Sequence, residues 1–236
     1  MNLFPEGFDC VDEVVQIQDL TLTITRPRSA EALITEEEYA NDERLPYWAD
    51  IWPSGRVLAE ELARRELVGT RILELGAGLS LPSLTGLAHG ALPLATDWYP
   101  DALSFARANA ARAGFGALAT MEVDWSYPPD ALFLEESFDL IIGADIAYER
   151  RHAQQLGALL TRLATPATEV LLADPRRPDA SALIELLKNQ GWSHQRDERR
   201  LAGHIDEQGP VVYLHRFFSP NPITNDAHEP GCDSLA

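Results

Sequence analysis

The chain has 236 residues, enough for one substantial core, and its 45% hydrophobic and 24% charged content is that of a globular protein. Its 37 acidic and 19 basic side chains give a formal charge of −18, which opposes wrapping a nucleic-acid backbone, a task that needs concentrated positive charge. No run reaches the ~18 apolar residues of a membrane span, and the N-terminus MNLFPEGFDC has no basic segment feeding a long apolar run, so the expectation is a cytoplasmic protein with no membrane or nucleic-acid partner.

Residues 11–25 alternate loosely with period two through Val15, Ile17, Leu20, Leu22 and Ile24, which predicts a short hairpin or edge pair. Residues 30–43 are acidic, and Thr35 followed by Glu38 has the spacing of a capping box. The first 45 residues therefore read as a hairpin and acidic flap appended to a sheet. The aromatic, turn-rich stretch PYWADIWPSG at 46–55 leads into a helix expected over 56–67, with Leu58 and Leu62 on one face and Gly69 ending the element. Strands follow at 71–75, 91–96, 117–123, 138–144 and 168–173. Helices are expected near 80–89, 100–113, 150–163 and 179–190. This alternation predicts a Rossmann-like αβα sandwich around a mostly parallel sheet. Residues 192–200 and 210–218 read as two late strands that add an antiparallel pair to the sheet edge. Residues 219–236 are polar and turn-rich, as expected of a tail.

The most informative stretch is RILELGAGL at 71–79, a strand ending in an acidic, glycine-rich turn. Gly76 and Gly78, with Ala77 between them, let the backbone approach a ligand closely. Asp97 closes the second strand, where a carboxylate can accept hydrogen bonds from ribose hydroxyls. Asp124 and its neighbour Trp125 end the third strand, suited to an adenine amino group and an adenine face. Each acidic residue has a plainer reading as a helix cap or solvated loop residue, and Trp125 as core. Asp145, Ile146, Ala147 and Tyr148 follow the apolar fourth strand, placing a carboxylate and a phenol at the mouth of the sheet, where they can hold and partly desolvate an amine. The plainer reading there is an N-cap aspartate and a packed tyrosine.

The set Glu74, Gly76, Gly78, Asp97 and Asp124 resembles the class I S-adenosylmethionine-dependent methyltransferases over residues 46–218. ELGAG is similar to that family's first motif, Asp97 to its ribose-binding acid and Asp124 to its adenine-recognising residue. DIAY at 145–148 resembles the Asp–x–x–Tyr motif of the seven-β-strand protein-lysine methyltransferases, and LLADPRRPD at 171–179 resembles the electron-transfer-flavoprotein β-subunit lysine methyltransferase branch. The resemblance implies a seven-stranded sheet, S-adenosyl-L-methionine as cofactor and S-adenosyl-L-homocysteine as product. It implies cofactor contacts from Trp52, Glu74, Gly76, Ala77, Gly78, Asp97, Trp98, Asp124, Trp125 and Asp145. On the substrate side it implies Trp48, Tyr148, Asp174 and Arg176, with Asp145 and Tyr148 as the catalytic pair. Both tryptophans of the lead-in have a competing reading as packing between flap and core, and Asp174 one as a turn-fixing residue. The acceptor expected is a protein lysine amine, the flavoprotein β subunit being one protein to consider.

Alternatives from other classes are a small-molecule N-methyltransferase and an inactive cofactor-binding interaction protein. A dinucleotide enzyme is disfavoured by the missing third glycine. The six histidines and two cysteines make no metal-ligand spacing, and Cys10 and Cys232 read as free thiols. Arg65 and Arg177 are read as solvated surface charges, and the chain as a monomer.

Overall fold

The computed structural model describes residues 3–34, 46–201 and 209–220. The Thr35–Glu38 capping box, most of the acidic flap, Cys232 and most of the tail lie outside the described residues.

The hairpin forms as expected. Strands β1 (Cys10–Ile17) and β2 (Leu20–Pro27) pair antiparallel around Gln18, which takes a left-handed φ of 51°. Val15, Ile17, Leu22 and Ile24 are buried, as period-two alternation requires when one face is covered. They share a cluster with Trp48, Leu79, Leu84 and Phe105. The free edge of β2 is capped by one side chain of the helix Pro100–Arg112. Asn109 Oδ1 accepts from the Thr25 amide at 2.8 Å, and its Nδ2 donates to the Thr25 carbonyl at 3.0 Å. The hairpin is thus a separate two-stranded sheet fixed to the sandwich.

The core elements are α1 (Pro53–Leu62), β3 (Arg71–Leu75), α2 (Leu81–Ala88), β4 (Leu92–Asp97), α3 (Pro100–Arg112), β5 (Ala119–Glu122), α4 (Asp130–Leu134), β6 (Leu140–Ala144), α5 (Arg150–Leu163), β7 (Glu169–Asp174), α6 (Ala180–Asn189), β8 (Ser193–Arg200) and β9 (Val211–Phe218). The seven-stranded sheet runs β5-β4-β3-β6-β7-β9-β8. The pairs from β5 to β7 are parallel, while β9 inserts antiparallel between β7 and β8. Alternation along the central strands feeds both faces. Leu73, Ile141 and Val170 pack with Leu156, Leu160 and Leu183 from α5 and α6, while Ile72, Ile142 and Leu171 pack with Val57, Leu58 and Leu62 of α1. The chain winds one way from β3 through β4 to β5 and the other way from β6 to β7. The carboxyl ends of β3 and β6 therefore flank the switch point where open α/β sheets bind ligands.

One helix departs from its expected bounds by more than two residues. Helix α1 starts at Pro53, whose ring presets φ for the first helical position, and it stops at Leu62; Gly69 (φ 75°) instead serves the turn into β3. The short helix α4, which follows Pro129, was not anticipated. Arg65 also departs from its reading as a surface charge. Its guanidinium makes two 2.9 Å hydrogen bonds to Glu169 and one of 3.2 Å to Glu61. Arg216 of β9 reaches Glu61 at 2.6 Å. This network ties the end of α1 to the base of β7 and β9.

Candidate active site

A cleft opens over the carboxyl ends of β3, β4 and β6, and most of the residues singled out from sequence line it. The turn after β3 sets its floor. Gly76 (φ 60°) and Gly78 (φ 51°) are both left-handed. A Cβ on Gly76 would lie 2.8 Å from Ile146 Cγ2, and one on Gly78 would lie 3.2 Å from the Trp48 carbonyl oxygen. A side chain at either position would be strained by the left-handed backbone and crowded by its neighbour, and glycine leaves bare backbone facing the cleft. The Ala77 amide donates to Thr96 O at 2.9 Å, locking this turn to β4 before α2 begins.

Two buried acids flank the turn. Asp97 Oδ2 accepts from the Gly78 amide at 2.8 Å, and Oδ1 accepts from the Tyr99 amide at 2.9 Å. Burial pushes its carboxyl above the usual range, against the opposing pull of amide hydrogen bonds from Tyr99, Gly78 and Trp98. Glu74 is 2% exposed. Its Oε2 accepts from the Ser83 amide at 3.1 Å and from the Ser83 hydroxyl, which anchors the first turn of α2 to β3. Burial pushes Glu74 up to about 8, so it carries its proton at neutral pH.

A pH signature follows from Glu74. The folded carboxyl titrates near 8 against 4.5 as the ordinary value, so the folded state holds the extra proton between those limits. The associated stability is complete below about pH 4.5 and declines as the pH rises to about 8. Glu74→Gln keeps an acceptor for Ser83 but cannot ionise. Its melting temperature should fall less than that of the parent between pH 5 and pH 8; identical pH dependence in thermal unfolding would show that Glu74 ionises as an ordinary carboxyl.

On the β5 side, Asp124 Oδ1 accepts from the Ser126 amide at 2.8 Å, an Asx turn, and the residue lines the cleft. Trp125 lies edge-on to His152 with centroids 5.2 Å apart, and Trp98 stands 40% exposed among the lining residues. On the other side, Asp145 has φ 60°, and its amide donates to Ala173 O at 2.8 Å. Its carboxylate is nearly buried and pairs with Arg177 Nε. Tyr148 is held edge-on between Tyr47 (5.8 Å) and His152 (4.6 Å). Burial, reinforced by the charge of Glu149, pushes its hydroxyl up to about 12, so it remains a phenol. Trp52 Nε1 donates to the Tyr47 carbonyl at 2.8 Å, and the two rings meet edge-on.

The remaining predicted positions divide. Trp48 borders the cleft, but the residue is 7% exposed and its ring packs with Phe8, Phe105 and Tyr99, at centroid distances of 6.2, 5.5 and 6.5 Å. Asp174 and Arg176 do not line this cleft. Asp174, pushed up to about 6 by burial, accepts the Arg177 amide at 3.0 Å and borders a small separate pocket with His215 and Phe217. The Arg176 guanidinium sits 5.6 Å from the Tyr213 ring centre. Arg177, read from sequence as a surface charge, is the arginine of this loop that enters the cleft. The reason is local: Arg176 has φ 71°, which turns the chain so that Arg177 points back to Asp145. Sequence reasoning also passed over Tyr47, His152 and Gln155. The four-residue spacing from Tyr148 to His152 was the available signal for one of them.

A family model described as lysine methyltransferase matches residues 31–190, and the chain belongs to that family. Protein N-lysine methyltransferase METTL21A of Danio rerio is 34% identical over 136 residues, which are 55% of this chain and 62% of that protein. Histone-arginine methyltransferase METTL23 of Mus musculus is 29% identical, matching 44% of this chain and 42% of the relative. The electron transfer flavoprotein beta subunit lysine methyltransferase of Danio rerio is 30% identical, matching 56% and 51%. This chain thus spans less than two thirds of each of these relatives. Among solved structures, the N-methyltransferase NodS of Bradyrhizobium japonicum superposes with a TM-score of 0.56 at 19% identity, over 81% of this chain and 98% of that one. Magnesium protoporphyrin IX methyltransferase of Synechocystis does so with 0.52 at 16%, over 70% and 77%. These two share the fold.

The cofactor is S-adenosylmethionine, leaving as S-adenosylhomocysteine. The residues present fit it. The side-chain-free turn at Gly76 and Gly78 gives room for close approach of a ligand. A carboxylate offers about four acceptor positions, so Asp97 keeps capacity for a hydroxyl donor. Asp124 and Trp125 offer an acceptor and an aromatic face on the same wall.

Proposed function

We propose that this chain is an S-adenosylmethionine-dependent N-methyltransferase whose acceptor is the side-chain amine of a protein lysine. The observation that supports it best is the grouping of Asp145 with the aromatic rings of Tyr47, Trp52 and Tyr148, in the same cleft as the bare Gly76–Gly78 turn. When bound, the cofactor supplies a methyl group on a sulfonium leaving group. The task of the chain is then positional. The aromatic rings strip water from the acceptor and hold its alkyl stem. Asp145 accepts a hydrogen bond from the amine N–H and so aims the nitrogen lone pair. Tyr148 stays protonated at any physiological pH and adds a neutral hydroxyl rather than a second anion. No covalent enzyme nucleophile is needed.

A guanidinium acceptor is the second reading, favoured by the similarity to the histone-arginine methyltransferase METTL23. Methyl-labelled cofactor added to host lysate separates the readings, with electron-transfer-flavoprotein β subunit included as one purified acceptor. After hydrolysis, label should appear in methyl-lysine. Label in methyl-arginine would establish the second reading, and label confined to small metabolites would reject a protein acceptor.

A further inference from the structure

The Asp145–Arg177 pair has more structure behind it than a surface ion pair. Two adjacent strand ends are bent into left-handed backbone to make it, Asp145 after β6 and Arg176 after β7. For arginine that conformation is uncommon, and such residues persist where the surroundings over-determine them. The surroundings here are specific. The Asp145 amide is tied to Ala173 O, and the Asp174 carboxylate takes the Arg177 amide. The Arg177 guanidinium therefore lies against Asp145, 5.8 Å from the Tyr148 ring centre.

The charges around this pair are otherwise committed. From β3 comes Glu74, bound to Ser83, and from β4 comes Asp97, bound to amides. Asp124 gives one carboxylate oxygen to its Asx turn. Asp50, from the turn before α1, is paired with Arg26. On α5 and its approach, Arg151 pairs with Glu149, and His152 stacks edge-on to Tyr148 and Trp125. From β7, Asp174 holds the Arg177 amide, and the phenols of Tyr47 and Tyr148 complete the wall.

We infer that Arg177 is a positioning residue that keeps Asp145 charge-compensated, so that the niche takes its acceptor nitrogen as a neutral amine rather than as a cation. This rests on the proposed N-methyltransferase reading and sharpens its substrate class. An uncompensated carboxylate would stabilise an ammonium, which has no lone pair to donate; a compensated one accepts a hydrogen bond without holding the proton on nitrogen. A lysine amine, with an ordinary pKa of about 10.4, can be delivered neutral. A guanidinium, with a pKa above about 12, cannot, and it meets the positive charge of Arg177.

The test is binding, read without turnover. The probe is n-butylamine, the tip of a lysine side chain, titrated calorimetrically between pH 7 and pH 9 into the full chain saturated with S-adenosylhomocysteine. The parent should bind about tenfold more tightly per pH unit, because the neutral fraction rises tenfold per unit below the amine pKa of about 10. Arg177→Gln should lose this slope, and Arg177→Lys, which keeps a cation on the loop, should retain most of it. A fold-stabilising role alone would shift affinity equally at every pH. A flat profile in the parent, the same slope in Arg177→Gln, no measurable amine binding, or equal binding of n-butylguanidinium would each overturn the inference. If the slope behaves as expected but labelled lysate yields no methyl-lysine, the lysine-methyltransferase reading fails while the role of Arg177 stands.

Discussion

Asp145→Asn should lower kcat by about 100- to 1,000-fold while leaving the affinity for S-adenosylhomocysteine within a few-fold of the parent. That range is typical for loss of one positioned polar group acting on a reacting centre. The substitution changes little volume and keeps one carbonyl oxygen, so the left-handed backbone and the amide bond to Ala173 can persist. What it removes is the negative charge and the second acceptor, the features proposed to aim the amine. Arg177 then loses its partner, but its side chain is 36% exposed and can turn to water, so the stability cost should stay well below that of orphaning a fully buried cation. Single-turnover kinetics with saturating cofactor measure the effect directly. Activity equal to the parent would remove Asp145 from the reacting group and move attention to Tyr148.

The sheet was legible in the sequence because its central strands are short, nearly continuous apolar runs set between amphipathic helices. RILEL and LIIGA could not be exposed elements, and their acidic followers had to fall at the carboxyl edge. Asp97, Asp124 and Asp145 fall at or just past the ends of β4, β5 and β6, so the strand–helix alternation puts each at that edge. The loops were less legible. Nothing in the pattern ADPRRPD says which arginine faces inward; the answer depends on the left-handed φ of Arg176, a consequence of tertiary contacts. Arg65 was misread for a related reason, since its partner Glu169 is 104 residues away along the chain and no local spacing reveals it. The end of α1 falls earlier than expected because no glycine or proline stands between Leu62 and Gly69 to mark it.

Asp97→Ala should weaken S-adenosylhomocysteine binding by about 100-fold or more. The carboxylate has two functions, and alanine removes both. It holds the Gly78 and Tyr99 amides in place, and in the proposed cofactor complex it offers its remaining acceptor capacity to the ribose hydroxyls. Leaving buried amides unsatisfied costs about 1–3 kcal/mol, and a hydrogen bond to a charged acceptor contributes about 1.5–3 kcal/mol; at 1.4 kcal/mol per tenfold, the two together span just under two to about four orders of magnitude. Asp97→Asn discriminates the functions. It fills the same space but retains a single acceptor oxygen and places an NH2 toward one of the two amides, so its affinity should fall between the parent and alanine. Thermal unfolding without cofactor reports how much of the loss belongs to the turn itself. If calorimetry finds the affinity of Asp97→Ala unchanged, the ribose assignment is wrong, and the cofactor must be held by the glycine turn and the Asp124–Trp125 wall.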